Sequence, residues 1–180
     1  MRAARTMRET PTERPVMQKV SIIAAIAGTT VVLGAPAARA SDWQPYRAQP
    51  FTTSGVCPFT VHGDIVQDEE EVRTDATFPD GTPRIQEFRG PLVIRFTNTA
   101  NGRSAVRDVS GYGRLHKFAD GGSAWFFDGG ASVRVYIGNK AYPAGWYIVH
   151  GRFRLTITPD NTRDFPHLHA DVENLCRTLA

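Results

Sequence analysis

Cysteine is scarce in this chain of 180 residues: only Cys57 and Cys176 occur, and neither belongs to a Cys-x-x-Cys pair. That spacing excludes a dithiol redox site and a thiolate metal cluster. Convincing amphipathic helices are missing too, so no helix N-terminus stands ready to receive a phosphate. No Gly-x-Ser-x-Gly string occurs; the nearest, Val109-Ser110-Gly111, lacks its first glycine, which removes the nucleophile elbow of the common hydrolases. Four successive carboxylates, Asp68 to Glu71, lack the alternating spacing of a calcium loop and read as a solvated turn. The single long apolar run, Val20 to Leu33, is short for a spanning helix and has Gly28 within it.

That apolar run follows Arg2, Arg5, Arg8, Arg14 and Lys19 and ends in Ala38-Arg39-Ala40. A charged start, an apolar middle and an Ala-x-Ala site predict a secretory signal peptide over 1–40. The signal is complete from Met17, so 1–16 reads as a mis-called start. We therefore expect a secreted, extracellular protein with no membrane span once the signal is removed. Removing the six basic and two acidic residues of 1–40 from totals of 21 and 18 leaves 15 and 16. The basic character of the precursor thus belongs to its targeting segment, and nothing remains that calls for nucleic acid. In an exported chain, Cys57 and Cys176 are expected to form one disulfide.

Residues 41–56 are rich in proline and small polar residues and read as an extended N-terminal arm. The domain proper is expected over 57–180. The run Tyr147, Val149, Gly151, Phe153, Leu155, Ile157 alternates with His150, Arg152, Arg154, Thr156 and Thr158, which is the period of a long half-buried strand. A first strand is expected to open at Cys57. Turn signals recur every ten residues or so: Pro79 to Pro83, Asn101-Gly102, Asp120-Gly121-Gly122, Asp128-Gly129-Gly130 and Pro159 to Asn161. The pattern predicts an all-β fold, a single antiparallel β-barrel of about eight strands, with a sandwich as the alternative.

His167-Leu168-His169 puts two imidazoles on one strand face, with Asp171 and Glu173 following and His150 as a third ligand on the neighbouring polar face. The pattern resembles part of the first cupin metal motif but lacks its flanking glycines and any second motif. We expect no metal and no cofactor. The aromatics are more suggestive. Trp125 to Phe127 and Trp146 to Ile148 are apolar on both faces, and with Tyr136, Tyr142 and Tyr147 they outline a ligand site. The outward rings cover the N-terminal arm, pack on a neighbouring chain, or line a mouth for an apolar ligand. The strand arginines Arg95, Arg134, Arg152 and Arg154 read as a solvated face.

Cys57 with Phe59 two residues on, the repeated Asp-Gly turns, His150-Gly151-Arg152 and Asn174-Leu175-Cys176-x-x-Leu179 together resemble small secreted proteins of high-GC Gram-positive bacteria. That resemblance carries no activity. The expectation is a non-catalytic barrel that binds a small apolar ligand or a cell-envelope partner. The rivals are a barrel enzyme, an isomerase or hydrolase using His150 and a carboxylate, and a purely structural envelope protein.

Overall fold

A computed structural model describes residues 42–180, with His167 described by its backbone alone; the expected signal peptide over 1–40 lies outside the described residues. The strands are β1 (Gln44–Pro45), β2 (Phe51–Thr53), β3 (Val61–Asp68), β4 (Glu71–Thr77), β5 (Pro83–Gly90), β6 (Leu92–Asn98), β7 (Ser104–Asp108), β8 (Gly111–Lys117), β9 (Ser123–Val135), β10 (Gly145–Ile157) and β11 (Arg163–Asn174), followed by one helical turn, α1 (Leu175–Thr178). They form two antiparallel sheets, one ordered β1-β4-β5-β8-β9-β10-β11 and one ordered β2-β3-β6-β7. The protein is all-β. The pairings leave each sheet with two ends, so no ring of paired strands is closed among the described residues.

The chain changes sheets four times, between β1 and β2, β3 and β4, β5 and β6, and β7 and β8. At the third change it leaves the larger sheet at Gly90-Pro91, where proline offers no N–H to continue a ladder. It returns at Val109-Ser110. The two crossings are tied together: the Val109 N–H donates to the Leu92 carbonyl (2.8 Å) and the Leu92 N–H to Ser110 Oγ (2.9 Å). The N-terminal arm adds a strand to each sheet, β1 against β4 and β2 against β3.

A row of glycines crosses the larger sheet. Gly90 pairs with Gly111, Gly111 with Gly129, and Gly129 with Gly151. Gly90, Gly129 and Gly151 have φ of 126°, 118° and 136°, values that side-chain-bearing residues rarely adopt. The sheet rolls about this row. Arg163 stands beside Ile157 at one end of β10 and Arg134 beside Trp146 at the other, eleven residues apart. A flat strand of that length spans roughly 36 Å. Even so, the Arg163 guanidinium donates to the Arg134 carbonyl, and Asn139 bonds the Arg163 backbone on both its N–H (2.6 Å) and its carbonyl (3.0 Å).

The glycine row corrects one expectation. Asp128-Gly129-Gly130 is not a turn but the interior of an unbroken 13-residue β9. Each of these glycines faces another strand's backbone closely, so the run bends without losing its partners. A second correction concerns the first long strand, which begins at Val61 rather than Cys57. Pro58 cannot donate to a ladder, and Cys57 is held instead by its disulfide to Cys176 on α1, with Cα atoms 5.3 Å apart.

Two apolar clusters result. Val61, Ile94, Phe96, Trp146, Ile148 and Leu175 lie between the smaller sheet, β10 and α1. Val133, Val135, Tyr147, Val149, Phe153 and Phe165 fill the hollow of the rolled sheet. β10 therefore buries Trp146 and Ile148 on one side and Tyr147 and Val149 on the other, which is why alternation fails in its first half. From Val149 onward the smaller sheet no longer covers it, and His150 and Arg152 reach solvent.

Candidate functional site

On the inward face of the rolled sheet, register places Leu115 of β8, Trp125 of β9 and Leu155 of β10 side by side. Phe88 of β5 and Phe127 of β9 flank them. Tyr46, Phe88, Trp125 and Phe127 form a continuous series of rings with successive centroids 5.4, 5.4 and 5.3 Å apart, the last pair stacked within 7° of parallel. Gly113, opposite Phe127, leaves that ring room: a Cβ there would stand 3.3 Å from it. Such contacts add directional preference to simple burial.

These rings line a cleft of about 690 Å³. Leu92 and Ile94 of β6 and Phe51 of β2 supply its opposite wall. The volume lies within the ordinary range of small-molecule sites, and the lining is mainly apolar with few polar groups. One strand edge opens onto it. β8 pairs with β9 only as far as Gly111 opposite Gly129, so Ala131 to Arg134 have β10 on one side and the cleft on the other.

Of the six aromatics expected to form the site, Trp125, Phe127 and Trp146 line this cleft. Trp146 also stacks on Phe51 of the N-terminal arm, centroids 5.3 Å apart, so an outward ring of β10 does cover the arm. Tyr142 and Tyr147 stand elsewhere, edge to face at 5.2 Å beside the second cluster, with the Tyr147 hydroxyl donating to the Pro143 carbonyl (3.0 Å). Tyr136 lies beneath the Arg163 guanidinium, 5.0 Å away.

Three charged side chains line the cleft: Glu70 from the β3–β4 turn, Arg134 from the end of β9 and Arg163 from the start of β11. Burial, aided by the nearby Asp68 charge, pushes the Glu70 carboxyl up to about 7. Asp68 is itself committed, accepting from the Ala48 N–H (2.7 Å) and the Glu70 N–H (3.0 Å). Because the folded value lies above the unfolded 4.5, the folded chain keeps a proton that the unfolded chain releases. Stability through this group therefore falls as pH rises from about 4.5 to 7. Glu70→Gln is expected to melt above the wild type at pH 8, by about 1 kcal/mol once half-burial is allowed for, and with it at pH 4. Identical melting at both pH values would mean that the carboxyl is well solvated.

The outer face of the same sheet holds a charge network rather than a cleft. Glu87, only 5% exposed, binds Arg73 at 2.7 Å and lies 3.5 Å from Arg114. Burial alone would raise its pKa, but the Tyr112 hydroxyl and the two guanidiniums outweigh burial and hold it below the usual carboxylate range. Arg73 and Arg89 both lie over the Trp43 ring, at 4.9 and 4.0 Å. Charges so mutually satisfied are structural.

Three of the histidines lie along β10 and β11. His150 stands opposite Asp171, His169 opposite Arg152, and His167 opposite Arg154. Glu173, the second acid after His169, is held by Arg107 at 2.6 Å and by Thr178 at 2.7 Å. No three His, Cys, Asp or Glu residues come together as metal ligands among the described residues. His150 does not line the cleft.

Sequence reasoning missed Phe88, Leu115 and Arg163 as cleft residues, and placed Arg134 and Glu70 among solvated charges. Phe88 and Leu115 sit in short, ordinary strand patterns, and nothing local distinguishes them. Only the cross-strand register selects them. Compared with protein-family models, curated proteins and solved structures, the chain matches none.

Proposed function

We infer that this is an exported, non-catalytic binding domain whose rolled sheet works as an incomplete barrel holding a small apolar molecule. The observation that carries the reading is the aromatic cleft, continuous from Tyr46 to Phe127 and lined on the other wall by Leu92 and Ile94. Filling it would remove several apolar side chains from water at about 25 cal/mol per Å². The Cys57–Cys176 disulfide suits an oxidising compartment. No described helix is long and apolar enough to cross a membrane. The enzyme alternative draws no support from His150, which is solvent-exposed and away from the cleft.

The test uses the neutral fluorescent probe N-phenyl-naphthylamine. Saturable binding of one probe per chain is expected, with energy transfer from the cleft tryptophans. Leu115→Glu is expected to weaken it at least roughly tenfold, because a carboxylate would be left without a partner in apolar surroundings. His150→Ala should leave it unchanged. Absence of saturable binding to a folded protein, or equal binding by Leu115→Glu, would overturn the reading.

A further inference from the structure

The two cations of the apolar cleft come from the end of β9 and the start of β11. Arg134 and Arg163 both line the cleft, and neither has an ion-pair partner among the described residues. Their hydrogen bonds go to neutral groups. Arg134 donates to Thr53 Oγ1 (3.4 Å) and Arg163 donates to the Arg134 carbonyl and to Asn161 Oδ1 (3.3 Å). The Nε of Arg163 is buried and has no partner at all. Elsewhere in the fold, Arg73 and Arg114 are matched to Glu87 and Arg107 to Glu173, while Arg154, without an ion pair, lies over the Phe126 ring. Arg134 and Arg163 are the two unmatched guanidiniums that line the aromatic cleft.

Desolvation lowers the Arg163 pKa, so its charge is held at a cost that a bound anion would offset. Arginine presents a planar fork of donors suited to carboxylate or phosphate oxygens. The one acid in the cleft lining, Glu70, belongs to the β3–β4 turn and forms no ion pair with either arginine.

We propose that the ligand is an amphiphile, an apolar chain or ring system lying against Phe88, Leu115 and Trp125 with a single anionic head held by Arg134 and Arg163. This rests on the cleft reading above and adds its polar specificity. Arg163 would give the buried contact and Arg134, whose side chain is exposed, would close over the head from the end of β9. The shared chemistry is an anionic oxygen head, which a fatty acid or an alkyl phosphate supplies equally.

Displacement of the neutral probe at low salt and pH 8 tests it. Dodecanoate, dodecyl phosphate, methyl dodecanoate and inorganic phosphate are compared below their aggregation limits. We expect the two charged amphiphiles to displace the probe about tenfold more strongly than the methyl ester, the gain of one charge-assisted hydrogen-bonded head. Inorganic phosphate should leave the probe in place. Their ranking against each other tells carboxylate from phosphate. Arg134→Met, at an exposed position, should remove most of the preference for charged over neutral chains; Arg163→Met should do the same, with its melt checked first. Equal displacement by charged and neutral chains, or an unchanged preference in Arg134→Met, overturns the anionic head while the apolar cleft stands. Displacement by inorganic phosphate overturns the amphiphile. Failure of the probe itself to bind overturns both readings together.

Discussion

Gly151→Ala is expected to destabilise the domain by about 3 kcal/mol, read as a lower urea midpoint by tryptophan fluorescence. Two physical effects add. The first is conformational: φ at Gly151 is 136°, where an L side chain is strained by roughly 1–2 kcal/mol. The second is steric. A Cβ there would stand 2.7 Å from the His169 carbonyl oxygen and 2.9 Å from the Ala170 Cα, backbone atoms of the paired strand that cannot rotate away. β10 and β11 would have to separate at the crease on which the sheet rolls. Gly138→Ala separates the two effects. Its φ is 91°, but nothing lies within 4 Å of the added Cβ, so only the conformational part, about 1–2 kcal/mol, is expected. Equal losses at the two positions would mean that the glycine row is tolerant and that something else bends the sheet. The Gly151 variant should also lose affinity for the cleft probe, since the roll sets the cleft's width.

Removing the disulfide, by Cys57→Ala with Cys176→Ala, is expected to lower stability by about 4–5 kcal/mol on the loop-entropy account. The bridge joins residues 119 apart and so restrains nearly the whole described chain when unfolded. It also seals a particular seam. Cys57 is 3% exposed and sits with Val56 against Leu175 and Leu179 in the first cluster, where α1 caps the apolar layer between the smaller sheet and β10. α1 is a single turn, far too short to persist unaided. Its other attachments are the packing of Leu175 and Leu179, the Asn98 amide donating to the Leu179 carbonyl (2.9 Å), and the Asn174 side chain accepting from the Cys176 N–H (2.9 Å). A loss under about 1 kcal/mol would show that those contacts hold the tail without the bridge. Equilibrium denaturation of the double variant beside the oxidised protein decides it.

Much of the secondary structure was legible because it depends on neighbours in sequence. The hairpin turns at Pro79–Pro83, Asn101-Gly102 and Asp120–Gly122 carry their own conformational demands: Gly81, Gly102 and Gly121 have φ of 84°, 76° and 90°. The long strand β10 announced itself through strict alternation. Asp128-Gly129-Gly130 was illegible for the same reason that the others were clear. Its composition is that of a turn, and only the glycines opposite, Gly111 and Gly151, keep it inside a strand. The site divided likewise. Trp125, Phe127 and Trp146 stood out as rings on strands with both faces apolar, whereas Tyr142 and Tyr147 share that composition but serve packing.

What the sequence determined by itself was the class of fold, the disulfide and the hairpin turns at Pro79–Pro83, Asn101-Gly102 and Asp120–Gly122, since each rests on local propensity or on counting two cysteines. The roll of the larger sheet was decided only in three dimensions. Gly90, Gly111, Gly129 and Gly151 are far apart along the chain and meet only through strand register. Their alignment lets the sheet roll, and the roll brings Arg134 to Arg163 and sets Phe88 beside Trp125. The cleft is a property of that long-range register, and no stretch of sequence contains it.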